Sequence, residues 1–97
     1  MQSFVFLFHF TEEGQRAYKE SAKRADGTAQ LIESLGGRMK GIYWTSAKFD
    51  GLFIAELPND EAAAAVSLAV TAKGFIQASA LRAFDRDEFV KLASRLG

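Results

Sequence analysis

The stretch Ser3-Phe4-Val5-Phe6-Leu7-Phe8-His9-Phe10 decides the fold. Phenylalanine takes every second position, and the positions between hold Val5, Leu7 and His9. This alternation of aromatic and branched residues is typical of a β-strand, whose successive side chains point to opposite faces of a sheet. Because both sets are mostly apolar, the stretch predicts a sheet with two faces that avoid water.

The rest of the chain predicts an α+β fold around this first strand. A helix should begin after Thr11, a capping residue, and run to about Leu35, with Gly27 as the place for a bend. Its buried stripe should contain Tyr18, Ala22, Ala25, Ala29, Ile32 and Leu35. A hairpin of strands 38–46 and 49–57, a helix over 62–73, a strand over 75–84 and a helix ending near residue 96 should follow.

The order of these elements, βαββαβ with an extra C-terminal helix, predicts one ferredoxin-like domain over residues 1–97 with an antiparallel sheet. Both helices of such a domain lie on one face of the sheet. The third strand nevertheless places Phe49, Phe53 and Leu57 on one face and Leu52 and Ile54 on the other. An open apolar face of this size needs a cover. We therefore expect a homodimer, or a higher homo-oligomer, with two sheets packed as a dimeric α/β barrel.

Composition narrows the classes of partner. Hydrophobic residues make up 48% of the chain and charged residues 25%, as in globular proteins. Lys plus Arg and Asp plus Glu number 12 each, so no net charge attracts nucleic acid or an anionic membrane. Cysteine is absent, which excludes disulfides and thiolate metal sites. The first residues lack a basic leader, and we expect a cytoplasmic protein.

The chain resembles the GYD domain family, small bacterial ferredoxin-like proteins named for a Gly-x-Tyr-Asp signature. The likeness rests on Phe10-Thr11-Glu12-Glu13-Gly14, Ser21-Ala22-Lys23-Arg24, Gly36-Gly37, Tyr43-Trp44-Thr45 and Leu81-Arg82-Ala83-Phe84. At the signature this chain reads Ala47-Lys48-Phe49-Asp50, which keeps only the aspartate, and Ala22 replaces the proline of a common Ser-Pro-x-Arg motif. The resemblance implies the fold and oligomerisation, and the family as a whole has no agreed activity.

Three polar residues on the predicted strands are candidates for a site. His9, the only histidine, is either a general base or haem ligand at the barrel mouth or a polar residue at a strand end. Asp50 and Glu56 are spaced to share one face of the third strand, where buried carboxylates can act as acids or bases. Alternatively, Asp50 shapes a turn and Glu56 pairs with Arg82 or Lys40.

Two further candidates are Arg24 and Tyr43. Arg24 either binds an anionic ligand at a subunit contact or pairs with Asp26 or Glu20 on a solvated helix face. Tyr43 and Trp44 should point to opposite faces, so only one of them can line a central cavity. One histidine and scattered carboxylates predict no metal site, and we expect no cofactor.

These observations leave three functional hypotheses open. The first is a homo-oligomeric module that binds a small apolar or aromatic molecule between paired sheets. The second is a cofactor-independent oxygenase or isomerase of the dimeric α/β-barrel type, which rests on analogy of fold. The third is a structural or regulatory assembly unit without a small ligand.

Overall fold

The computed structural model describes residues 1–96 and contains one four-stranded antiparallel sheet with the strand order β2-β3-β1-β4. Its elements are β1 Gln2–Phe10, α1 Glu12–Arg16, a 3₁₀ turn Tyr18–Glu20, α2 Ser21–Ser34, β2 Arg38–Trp44, β3 Gly51–Leu57, α3 Asp60–Ala72, β4 Ile76–Ala83 and α4 Arg86–Ser94. The order and pairing confirm the predicted ferredoxin-like α+β fold with an additional C-terminal helix.

The phenylalanine face of the sheet forms the core. Phe4, Phe6 and Phe8 are at most 3% exposed, and the rings of Phe6 and Phe53 stack with centroids 4.5 Å apart. Helices α2 and α3 cover this face and add Ile32, Val66 and Val70 to the core. The alanine-rich start of α3 leaves little side-chain bulk between that helix and the sheet, so the two pack closely.

The first helical region is broken, so the prediction of one helix to Leu35 with a bend at Gly27 is wrong. The chain leaves α1 at Ala17 and passes through the 3₁₀ turn before α2 begins. The cause is tertiary: the Thr11 amide donates to the Phe75 carbonyl at 3.0 Å, and a Cβ on Gly14 would lie only 1.9 Å from that oxygen. Because α1 is held against the entrance to β4, the chain must turn before α2 can cover the sheet.

The break also changes the predicted buried stripe. Tyr18 is 58% exposed and Ala22 is exposed, so neither belongs to the core. The buried residues of α2 are Thr28 and Ile32, and Leu35 packs partly buried beside them. Gly27 lies inside regular helix.

The predicted hairpin between β2 and β3 is confirmed, but its loop is longer than the Ala47-Lys48 connection. β2 ends at Trp44 and β3 begins at Gly51, and a bulge between Met39 and Gly41 shifts the register. The loop residues 45–50 need one left-handed backbone conformation, which Ala47 supplies at φ 82°.

The C-terminal helix α4 begins with a capping box and then leaves the body of the domain. Asp85 and Glu88 each accept a hydrogen bond from the other's backbone amide, at 2.7 Å and 3.0 Å. Arg82 donates to Glu88 at 3.1 Å, and the Asp85 amide together with this guanidinium holds the pKa of Glu88 below its usual range. No residue of α4 is buried. The molecule is correspondingly elongated, with extents of 50 × 31 × 19 Å.

Candidate functional site

Within residues 1–96 one face of the sheet has no element packed over it, and we call it the open sheet face. It carries two cross-strand rows of mostly apolar residues, Leu81-Val5-Ile54 and Ser79-Leu7-Leu52-Tyr43. None of these residues is buried, whereas the phenylalanines on the other side of β1 are. Helices α2 and α3 therefore cover only the phenylalanine face, and the prediction of a second apolar face is confirmed within the chain.

Polar residues border the open sheet face at both ends. One end holds His9, which pairs with Gln77 of β4. The other holds Ser3 and Glu56, and Glu56 pairs in turn with Arg38 of β2. An apolar centre with a polar rim is the usual anatomy of a protein interface.

His9 is exposed at the end of β1 and packs against an aromatic ring. Its imidazole lies 4.8 Å from the Phe49 ring, centroid to centroid. Within residues 1–96 no hydrogen bond orients this imidazole. A general base needs such an orienting partner, so the geometry agrees with the strand-end interpretation of His9.

Asp50 fastens the β2–β3 loop to β1. Its Oδ2 accepts from the Phe10 amide at 2.7 Å, and its own amide donates to the Phe8 carbonyl at 3.0 Å. These two bonds extend the pairing with β1 one residue before the start of β3. The carboxylate is thus used in the fold, as the alternative interpretation of Asp50 as a turn residue expects.

The neighbouring loop residues complete this fastening. The Thr45 amide donates to the Asp50 carbonyl at 2.9 Å, and the Thr45 hydroxyl donates to the Phe49 carbonyl at 2.6 Å. Ala47, which stands where the resembled family has glycine, adopts the left-handed conformation that glycine favours. In this chain the signature positions shape the loop that holds Asp50.

Glu56 lies at the opposite end of β3 and does not meet Asp50. Its Oε1 accepts from Nε of Arg38 at 2.9 Å, so the predicted partners Arg82 and Lys40 are wrong. The bulge in β2 brings Arg38 opposite Glu56. The hydrogen bond from Arg38, with the positive charges of Lys40 and Arg38 nearby, holds the pKa of Glu56 below its usual range.

Tyr43 and Trp44 point to opposite faces, as predicted. Tyr43 is 60% exposed on the open sheet face, where its ring lies over the backbone of Gly41. Trp44 lies on the helix side, where its indole Nε1 donates to Oγ of Ser21 at 3.0 Å. Only Tyr43 can therefore contribute to a cavity between paired sheets.

Arg24 lies in a cleft on the helix side of the sheet and forms no pair with Asp26 or Glu20, so the solvated-face interpretation is wrong. Its Nη1 donates to the Ala17 carbonyl at 3.0 Å, and its guanidinium carbon lies 4.2 Å from the Phe75 ring centroid. The structure brings Arg24 together with none of the other four candidates.

Sequence reasoning missed two residues of this cleft, Lys73 and Phe75. They lie about fifty positions from Arg24 in the chain, and no local motif links them to it. The only feature of the sequence that could have indicated them is Gly74, which lies between them, ends a helix and lets the chain turn back toward α1.

The structure adds one finding about metal binding and one about membrane-spanning helices. Among residues 1–96, no three His, Asp or Glu side chains are grouped so that they could hold a metal ion. In the same part of the chain, no helix combines the length and apolar character needed to cross a membrane.

Comparison with known proteins identifies one family. The model of the GYD domain matches residues 4–93 of the 97-residue chain. No curated protein matches the sequence. The match covers β1 from Phe4 onward, the other three strands and the helices between them, which are the elements that build both the open sheet face and the cleft.

Proposed function

Because the chain belongs to the GYD domain family, we propose that it is a homo-oligomeric binding domain. The open sheet face packs against the same face of a second copy, and the paired sheets hold a small apolar or aromatic molecule between them. The open sheet face is the observation that carries the proposal.

The open sheet face carries side chains of the types that normally form a hydrophobic core. Four large aliphatic side chains, those of Val5, Leu7, Leu52 and Ile54, are half-buried by one another, and no element of the described chain covers them. Two copies related by a twofold axis would place these rows face to face, since the same patch serves both partners. Sheets packed in this way lie about 10 Å apart.

The sheet alone offers too small an area for a stable dimer interface, so we propose that α4 contributes to the interface as well. Strands about 4.8 Å apart, with about seven residues each at roughly 3.3 Å per residue, make a four-stranded face of about 440 Å². A stable interface buries about 800 Å² on each partner. Apolar residues of α4 are the available supplement: Phe89 is 60% exposed, Val90 52% and Leu92 41%. We propose that α4 of each copy lies along the sheet of the other.

The interior of such a dimer suits a small apolar ligand. Side chains from the two apolar rows would form its walls, and His9, Tyr43 and Glu56 would supply polar groups at the rim. Apolar walls with a few polar groups are usual for small-molecule sites. The enzymatic alternative has less support, because Asp50 and Glu56 already accept hydrogen bonds from Phe10 and Arg38.

A charge on the open sheet face tests the assembly. Leu81→Glu places a carboxylate on β4 at a position that is 46% exposed in the single chain, so the domain should still fold. In the dimer two such carboxylates would be buried without partners, and the dimer dissociation constant should rise at least about 100-fold. Leu68→Glu on α3, 73% exposed and away from this face, is the matched control. Sedimentation equilibrium of both variants measures the effect.

An oligomer that persists in Leu81→Glu, or that is weakened as much by Leu68→Glu, would contradict the proposed interface. The ligand is tested separately by thermal unfolding with indole as the probe. Indole should raise the melting temperature of the wild type and leave that of the monomeric Leu81→Glu variant unchanged. If indole and similar neutral aromatics stabilise neither protein, the interface is filled by side chains and the assembly-unit hypothesis is favoured.

A further inference from the structure

The cleft that contains Arg24 lies on the other side of the sheet from the proposed dimer interface. Its floor consists of sheet residues, and its sides are α2 and the end of α3; the apolar lining includes Phe8, Ile42, Phe53, Val70, Phe75 and Ile76. Its polar lining residues are Ser21, Arg24, Thr28 and Lys73. Among the described residues, 1–96, no acidic side chain lines this cleft.

Arg24 presents an unused hydrogen-bond donor in the cleft. One of its terminal nitrogens, Nη1, donates to the Ala17 carbonyl, which also accepts from the Glu20 amide of the 3₁₀ turn. The other, Nη2, is buried and has no partner among residues 1–96. A buried charged donor without a partner costs free energy, and an acceptor placed against it would recover that cost. The contact with Phe75 fixes the plane of the guanidinium.

A second cationic residue, Lys73, lines the same cleft. None of the ion pairs in the described chain contains Arg24 or Lys73. The Lys73 ammonium lies over Gly27 of α2, 3.9 Å from where a Cβ would stand, so the missing side chain leaves space for it beside the cleft. Ser21 accepts from Trp44, and its own hydroxyl hydrogen is left to donate.

We propose that this cleft binds the carboxylate of a small apolar acid between Arg24 and Lys73. Two unpaired cations and a hydroxyl donor select an anion, and the planar fork of Arg24 suits a carboxylate. The cavity volume of about 40 Å³ equals a few water molecules, so it admits the carboxylate and leaves the apolar body of the acid at the mouth. The apolar walls disfavour a dianion such as phosphate, whose desolvation costs more.

Benzoate and its uncharged analogue benzamide are suitable probes, in a two-dimensional amide NMR titration of the whole chain. Benzoate should shift the amide signals of Ser21, Gly27 and Gly74, and benzamide should bind at least about tenfold more weakly because it lacks the charge. Failure of benzoate to bind at millimolar concentration, equal binding of benzamide, or tighter binding of inorganic phosphate would overturn the proposal.

Two variants test the named cations. Arg24→Lys keeps the charge but loses the planar fork, and it should weaken benzoate binding about tenfold. Arg16→Lys makes the same change at an exposed position of α1 and should have no effect. Lys73→Gln alters an exposed side chain that the fold does not need, and it should weaken binding severalfold even if Arg24→Lys fails to fold. Wild-type affinity in both cleft variants would refute the site.

The proposal for the cleft and the proposal for the dimer interface can be tested independently of each other. Benzoate should bind the Leu81→Glu variant as tightly as the wild type, because Leu81 lies on the opposite face of the sheet. Loss of benzoate binding in Leu81→Glu would show that the probe binds at the interface between copies, and it would overturn the assignment to the Arg24 cleft.

Discussion

Replacing Ala47 with glycine should stabilise the protein. Ala47 has φ 82°, the left-handed conformation that costs an ordinary residue about 1–2 kcal/mol. Glycine removes this cost, but it loses about 0.5–1 kcal/mol through the greater freedom of the unfolded chain. The net gain in the free energy of unfolding should be about 0.5–1 kcal/mol. For a domain of this size that corresponds to a rise in melting temperature of about 2–8 °C.

Ala64→Gly is the matched control, since Ala64 is exposed in the middle of α3. There the same chemical change should lower stability by about 1 kcal/mol, because glycine is a poor helix former. Urea unfolding of both variants and the wild type, at one protein concentration, measures the difference. If Ala47→Gly destabilised the protein as Ala64→Gly does, the loop conformation deduced for Ala47 would be wrong.

Two further predictions concern carboxylates. The lowered pKa of Glu56, caused first by the hydrogen bond from Arg38, means that the folded state binds a proton less readily than the unfolded state. The stabilisation by Glu56 is therefore complete at pH values above its ordinary pKa of 4.5, and it is lost as the pH falls through the lower pKa of the folded state. Urea unfolding in acid should show a smaller loss of stability for Glu56→Gln than for the wild type. An identical loss in both proteins would contradict this. Asp50→Ala removes the acceptor of the Phe10 amide and should lower the free energy of unfolding by about 1.5–3 kcal/mol, with Asp50→Asn less affected. Amide hydrogen exchange at Phe10 that stayed as slow in Asp50→Ala as in the wild type would contradict the role assigned to Asp50.

The strands could be predicted because their signal is local. The alternation around Phe6 and Phe53 alone assigns each residue to a face, and the structure keeps these assignments within β1 and β3. The two apolar faces could be predicted for the same reason, since Leu52 and Ile54 alternate with buried residues of β3. The assignment of Phe49 to the face of Phe53 is wrong, because Phe49 lies in the loop before β3 and packs against His9.

The helix break could not be predicted, because nothing in the segment from Ala17 to Glu20 disfavours a helix. The break follows from contacts of Thr11 and Gly14 with the Phe75 carbonyl, about sixty residues away. Gly27, the expected bend, is a helical residue over which Lys73 lies. Local propensity is a weak guide where such tertiary contacts decide the conformation.

Tyr43 and Glu56 were assigned to faces correctly, but the partner of Glu56 and the surroundings of Arg24 were not. A period of two places Glu56 on the open sheet face, yet only the bulge in β2 decides that Arg38 is its partner. Arg24 fits a solvated helix face in the sequence. Its contact with Phe75, which is distant in the chain, places it in the cleft.

Native mass spectrometry of the freshly purified chain is the measurement with which to begin, because it counts subunits and detects a retained small molecule at once. Pairing through the open sheet face predicts the mass of a dimer, or of a higher even-numbered assembly, and a bound ligand would appear as added mass. A monomer at micromolar concentration would contradict the pairing, since an apolar face that stays exposed in solution has no second copy covering it.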